Sequence, residues 1–264
     1  MSTETWPCPV RDWATRAPDS PAIRSAAGEW TYQDFDAHVE AAVSGLARRG
    51  MTSGDRLALF AEPSARVLAV LLAAFRLGAA VCPLNLRLPD AQVAAAATRL
   101  GARLLISNDA FVNDNLSRCT VSELLDSDCD ILKDAAVWPD VAAAVLMTSG
   151  STGTPKAAVL TYRNLFRNAE ASNRNIPLAP GDTWLLSLPL YHVSGLGVLF
   201  RCVLAGAAVA IPEAGQELAA AMKQYGATHV SLVATQLRRF LEDDAGLAAL
   251  SACKAILLGG SALP

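Results

Sequence analysis

The feature that most constrains this chain is an alternation. Short runs of β-branched and small apolar residues are each followed by a longer stretch with helical periodicity. Strands separated by helices of about 10–15 residues demand crossover connections, and hence mostly parallel sheets flanked by helices. Thr31 with Asp34 three residues on is a helix N-terminus. The helix it opens runs to about Arg49, buries Phe35, Val39, Ala42, Val43 and Leu46 on one face, and stops at Gly50. Strands are expected at 56–61, 79–83 and 103–107, with helices at 64–77 and 89–100 between them. Segment 108–137 is polar, acidic and poorly periodic, and reads as a surface connection with a short strand near Cys119 to Val121. The alternation then resumes: strands at 141–147, 157–160, 183–188, 207–212, 229–233 and 254–258, and helices at 162–175, 195–204, 214–225 and 236–243. The expected fold is α/β in two lobes, with a lobe boundary near 108–140.

Composition narrows the function. Of 264 residues, 52% are hydrophobic and 18% charged, which is ample core material. With 22 basic against 25 acidic side chains, no basic stripe is available for a nucleic-acid backbone. The six cysteines include no C-x-x-C pair and sit among apolar neighbours, as reduced thiols of a cytoplasmic protein do. His38, His192 and His229 are too scattered for a structural zinc site. The N-terminus lacks a basic and apolar leader. The greasiest run, 67–81, carries Arg76 and falls short of the roughly 20 residues of a membrane span, so it reads as a buried helix.

The strongest local signal lies between two strand-like runs: Thr148, Ser149, Gly150, Ser151, Thr152, Gly153, Thr154, Pro155, Lys156. Nine residues hold five hydroxyls, two glycines and one lysine. Glycines let backbone N–H groups turn toward one point, hydroxyls add donors, and lysine adds a mobile positive charge. Such a loop can cradle a polyphosphate. The Walker pattern fails, because Pro155 precedes Lys156 and Ala157 follows it. On composition alone, a polar hairpin turn remains the alternative.

T-S-G-S-T-G-T-P-K resembles the nucleotide loop of the adenylate-forming superfamily of acyl-CoA synthetases, luciferases and peptide-synthetase adenylation domains. Pro189 to Gly195 (P-L-Y-H-V-S-G) resembles that family's P-x-x-H-x-x-G segment. Leu258 to Pro264 (L-G-G-S-A-L-P) resembles its G-G segment. The resemblance covers essentially the whole chain. It implies ATP, Mg²⁺ and coenzyme A as co-substrates. It also implies nucleotide contacts from 148–154 and Lys156, catalytic roles for Thr148 and Lys156, a metal contact at Thr152, and an adenylate flanked by Gly259, Gly260 and Ser261. The family pattern continues with a Thr-Glu motif, a ribose-binding aspartate and a small C-terminal domain bearing a lysine. Residues 1–264 are therefore expected to be part of the large N-terminal domain, with the small domain absent and the piece unable to complete catalysis alone.

Residues 194–205 form a helix apolar nearly all round, with Arg201 alone in it. A buried guanidinium needs an anionic or strongly polar partner. Ser194 lies seven residues before Arg201, nearly two turns, so the two share a face; His192 stands just ahead of it. This greasy wall with polar points suits an apolar ring bearing a carboxylate; an internal salt bridge or snorkelling to the surface is the alternative. The run from Ser187 to Arg201, with 231–241 (S-L-V-A-T-Q-L-R-R-F-L), is similar to the 2-succinylbenzoate–CoA ligase family of menaquinone biosynthesis. That resemblance places Arg201 against the substrate's aromatic carboxylate, and His192, Ser194, Gly195 and Thr235 around the acid. Tyr191 and Ala234 depart from the family's commoner Phe and Pro. The implied chemistry is activation of an aryl carboxylic acid to its adenylate, then transfer to coenzyme A. His192 acts as wall or gate, since an ionised carboxylate needs no general base. A ligase for another aryl or fatty acid, and a catalytically silent nucleotide-binding fragment, are the competing readings. Homo-oligomer formation stays open.

Overall fold

The computed structural model describes residues 4–108, 116–126, 136–148 and 156–260. Its first part comprises β1 (Trp6–Pro7), α1 (Pro9–Arg16), β2 (Pro21–Ser25), β3 (Gly28–Thr31), α2 (Tyr32–Arg48), β4 (Arg56–Phe60) and α3 (Ala65–Arg76). Next come β5 (Ala80–Pro83), α4 (Asp90–Arg99), β6 (Leu104–Ser107), β7 (Ser117–Thr120), α5 (Val121–Leu125), β8 (Ala136–Val137), β9 (Ala142–Thr148) and β10 (Lys156–Thr161). The remainder is α6 (Tyr162–Asn175), β11 (Thr183–Leu185), α7 (Val193–Ala205), β12 (Ala208–Ala210), α8 (Leu218–Tyr225), β13 (His229–Val233), α9 (Ala234–Leu241), α10 (Asp244–Ser251) and β14 (Ala255–Gly259).

Two six-stranded sheets carry the fold, ordered β10-β9-β5-β4-β6-β7 and β14-β13-β11-β12-β2-β3. Every pairing within them is parallel except β9 with β10 and β2 with β3. Sheet membership does not follow chain order. β9 and β10 complete the first sheet after the 108–140 stretch, and the β2–β3 hairpin joins the second sheet from far upstream.

The elements form for local reasons. Thr31 and Asp34 make a reciprocal capping box at the start of α2, and Gly50 takes φ +74° beyond its end. Ser64 caps α3 by accepting from the Val67 amide, and Thr161 does the same for α6 from Asn164. The expected helix from Ala214 starts only at Leu218. Gly215 sits at φ +77° in a turn closed by the Gln216 amide on the Glu213 carbonyl. The expected helix at 236–243 is shifted to 234–241, and a second helix, α10, follows. Asp243 caps that helix by accepting from the amides of Ala245 and Gly246. β11 and β12 are shorter than expected, three residues each.

Helices α2, α3, α6 and α7 share one apolar core, in which Phe200 packs against Phe75 (5.6 Å) and Tyr162 (5.5 Å). Tyr32 on α2 donates its hydroxyl to the Ala207 carbonyl at 2.9 Å, tying that core to the second sheet. Burying each such aromatic or branched side chain stabilises by roughly 1.5–3 kcal/mol. Within this core lies a charged cluster that the sequence pattern did not announce. Arg76, 3% exposed, pairs with both Asp36 and Glu40, and its Nε donates to Cys8 Sγ at 3.2 Å. Arg11 closes the cluster on the same carboxylates, at 2.6 and 2.8 Å. Cys8, Cys82, Cys119 and Cys202 are buried free thiols and Cys253 is half-buried. No helix among the described residues is long and apolar enough to cross a membrane.

Candidate functional site

Parallel strands point their carboxyl ends, and the loops that follow, to one side of a sheet, where α/β proteins bind ligands. Thr148 closes β9, Tyr191 and His192 follow β11, Thr235 follows β13, and Gly259 closes β14. A cavity of about 540 Å³ opens where Thr148, Tyr191 and His192 meet, and neither Thr235 nor Gly259 lines it. Its wall includes Thr148 and Met147 from the first sheet, Tyr191 and His192 from the second, and Pro83 to Asn85 from the loop after β5. An adjoining cavity of about 320 Å³ shares Pro83, Leu84 and Tyr191 and is flanked by Glu62 and Arg87. The rule that ligands sit beyond strand ends points to 83–87; no polar motif there marked it in the sequence.

The base of the glycine- and hydroxyl-rich loop is the end of a strand pair. Thr148 and Lys156 are register partners at the open end of the β9–β10 pair, and Thr148 Oγ1 donates to the Lys156 carbonyl at 3.1 Å. Both side chains are exposed. Ser149, Gly150, Ser151, Thr152, Gly153 and Thr154 lie outside the described residues, as does Ser261. Thr148 and Lys156 thus stand at the two ends of the loop, where the exposed lysine offers an ammonium suited to phosphate oxygens. Among the described residues no three of His, Cys, Asp and Glu cluster to hold a metal ion.

The P-L-Y-H-V-S-G segment has a physical logic. The His192 amide donates to the Pro189 carbonyl (3.1 Å) and the Gly195 amide to the His192 carbonyl (3.1 Å), so the chain folds sharply into α7. A Cβ at Gly195 would lie 2.2 Å from the Pro189 oxygen, so only glycine permits that approach. His192 occupies the N-cap position and is exposed toward the cavity; Tyr191 packs beside it at 4.6 Å. Ser187 donates to the Ser231 carbonyl, and Gln236 Nε2 reaches the Ser187 carbonyl at 3.3 Å, which moors the segment to β13 and α9. Ala234 starts α9 where proline is also favoured at a first helical position, so that departure leaves the turn intact. Thr235 is exposed in the first turn of α9.

Arg201 is buried in α7, 8% exposed, and no carboxylate pairs with it among the described residues. Burial lowers its pKa. Its Nε and Nη1 are buried without a hydrogen-bond partner. The side chain folds back over Gly197 and lies over the Trp184 ring, with Cζ 5.0 Å from the ring centroid. The structure therefore gathers Thr148 and His192 at one cavity, whereas Ser194, Gly195, Arg201 and Thr235 do not line it. Trp184 and Gly197, which contact the guanidinium, carried no signal in the sequence beyond their place in an apolar run.

A family model described as AMP-binding enzyme matches residues 10–264. The 2-succinylbenzoate–CoA ligase of Salmonella typhimurium is 33% identical over 265 residues, covering 100% of this chain and 55% of that protein. The 2-succinylbenzoate–CoA ligase of Escherichia coli is 34% identical over 259 residues, covering 97% and 54%. Among solved structures, o-succinylbenzoate CoA synthetase from Bacillus subtilis, in complex with the acyl-adenylate intermediate OSB-AMP, has a TM-score of 0.87 at 25% identity. It is matched over 99% of this chain and 55% of that one. An E. coli MenE variant with bound OSB-AMS gives a TM-score of 0.83 at 32% identity, over 100% and 56%. The chain spans about half the length of the curated relatives it matches.

Proposed function

The chain belongs to the AMP-binding enzyme family, and from that premise we propose that it carries the nucleotide- and acid-binding part of a 2-succinylbenzoate–CoA ligase. Residues 1–264 are part of the large N-terminal AMP-binding domain in this reading. The substrates are MgATP, an aryl carboxylic acid and coenzyme A, and the setting is menaquinone biosynthesis in the cytoplasm. A carboxylate oxygen of the acid attacks the α-phosphorus of ATP, and pyrophosphate leaves. The thiol of coenzyme A then attacks the acyl carbon of the adenylate, and AMP leaves.

The chain's own residues bind and orient. Thr148, the 149–154 loop and Lys156 hold the β- and γ-phosphates and spread the charge that develops there. Thr152 would contact the metal ion that accompanies ATP, which would supply charge neutralisation at the phosphates. Gly259, Gly260 and Ser261 border the adenylate without bulk. His192, Ser194, Gly195 and Thr235 wall the acid site. Arg201 is the basic residue that faces the carboxylate of the aryl ring. The observation that carries the reading is this unpartnered, buried guanidinium two turns inside the helix that begins at the cavity.

Titration of the 264-residue chain with ATP and then with 2-succinylbenzoate, benzoate and a fatty acid tests it. ATP binding and a preference for 2-succinylbenzoate are expected. Preference for a fatty acid would transfer the chain to another acyl-CoA ligase, and failure to bind ATP would leave a silent fragment.

A further inference from the structure

We infer that Trp184 and Gly197 form a seat that fixes the Arg201 guanidinium for the acid, making both positioning residues that determine substrate specificity; this rests on the assignment of Arg201 to the carboxylate.

A helical side chain leans toward the N-terminus, over the residue four positions earlier. For Arg201 that residue is Gly197. The three heavy atoms nearest to a Cβ built there all belong to the guanidinium: Nη2 at 3.3 Å, Cζ at 3.4 Å and Nη1 at 3.5 Å. The guanidinium therefore rests in the notch where a side chain is missing. Trp184 closes the other side. Its ring is fully buried, with Cζ of Arg201 5.0 Å from the centroid. The indole Nε1 donates to Ser231 Oγ at 3.1 Å, so β13 holds the ring's orientation. An aromatic face attracts a cation most strongly where water is excluded. It also differs from a carboxylate partner in one decisive way: it steadies the charge without consuming an N–H. The seat holds the guanidinium while leaving Nε and Nη1 unpartnered among the described residues. A structural ion pair would have used those donors.

Gly197→Ala is the sharp probe. Alanine is the better helix former, so the helix gains, and the atoms crowded are those of Arg201. Trp184→Phe keeps a ring but loses the Ser231 anchor, and Ser231→Ala removes the anchor alone if the ring change prevents folding. Equilibrium titration of the 264-residue chain reads Kd for 2-succinylbenzoate and for ATP, with the thermal midpoint alongside. Gly197→Ala and Trp184→Phe (or Ser231→Ala) should each raise Kd for the acid about five- to tenfold, a part of one desolvated cation–π contact, with Kd for ATP unchanged. In an Arg201→Leu background the same changes should add nothing further. Independent, additive effects in that background, or equal loss of ATP and acid binding, would overturn the inference. If the parent chain does not bind the acid, or Arg201→Leu leaves acid binding unchanged, the underlying assignment of Arg201 fails instead, and the seat with it.

Discussion

The buried cluster of Arg76, Asp36, Glu40 and Arg11 allows a stability change to be worked out from its geometry. Arg76→Leu removes a side chain that is 3% exposed and strips one partner from each of two carboxylates, themselves 12% and 6% exposed. Removing one member of a buried ion pair costs about 3–5 kcal/mol, because the charge left behind is desolvated and uncompensated. Here Arg11 stays within 2.6 Å of Asp36 and 2.8 Å of Glu40, and leucine refills part of the arginine stem's volume. The lower end applies, about 3 kcal/mol. With an unfolding entropy of about 2.1 cal/mol/K per residue, a chain of this size should lose about 5 °C in Tm. Scanning calorimetry and urea unfolding measure this directly. The comparison variant is Arg103→Ala, which breaks the exposed Arg103–Asp55 pair (3.1 Å) and should cost under about 1 kcal/mol. Adding Asp36→Asn and Glu40→Gln to Arg76→Leu should recover part of the loss, since the stranded charges are its main source. A loss for Arg76→Leu no larger than that for Arg103→Ala would refute the reasoning.

Three further outcomes are expected. Lys156→Ala should raise Kd for ATP about tenfold or more, the worth of one charge-assisted hydrogen bond, as read by titration; an unchanged Kd would remove Lys156 from the phosphate site. Gly195→Ala places a methyl 2.2 Å from the Pro189 oxygen and 2.8 Å from the Leu188 oxygen, backbone atoms that cannot swing aside. It should cost about 2 kcal/mol in urea unfolding and weaken acid binding, and a neutral substitution would mean the tight approach is not needed. Burial lowers the pKa of His229, whose ring lies between the Thr228 hydroxyl and the Pro177 carbonyl. Below about pH 6.5 the unfolded chain takes up a proton that the folded chain resists, so stability should fall as pH drops through that point. The urea midpoint of His229→Gln, compared with that of the parent chain across pH 5–8, should lack this component.

Much of the fold could be read locally. The box of Thr31 and Asp34, the cap at Ser64 and the stop at Gly50 are short-range devices, and α2, α3 and α6 lie within a residue or so of where they were expected. The misses have long-range causes in the sheets and at the arginines, and a local one at α10. β2 and β3 belong to a sheet whose neighbouring strand, β12, lies about 185 residues downstream, and no local pattern encodes that pairing. α10 depends on an Asp243 cap hidden inside an acidic run. Likewise Arg201 could be singled out as a lone charge in a greasy helix, whereas Trp184 could not be connected with it. The two meet only because β11 and α7 pack together. Arg76 looked like the same kind of lone charge, yet it finds its carboxylates on a neighbouring helix.

The contrast between those two arginines leads to the most direct test of the account. Arg76 is internally neutralised, and Arg201 has no carboxylate partner among the described residues and is the one proposed to meet a ligand. Isothermal titration of Arg201→Leu with 2-succinylbenzoate and with ATP measures the difference. The account predicts at least about a tenfold rise in Kd for the acid, the loss of hydrogen bonds to a charged group, with ATP binding kept. Equal weakening of both ligands, or no weakening of either, would contradict it.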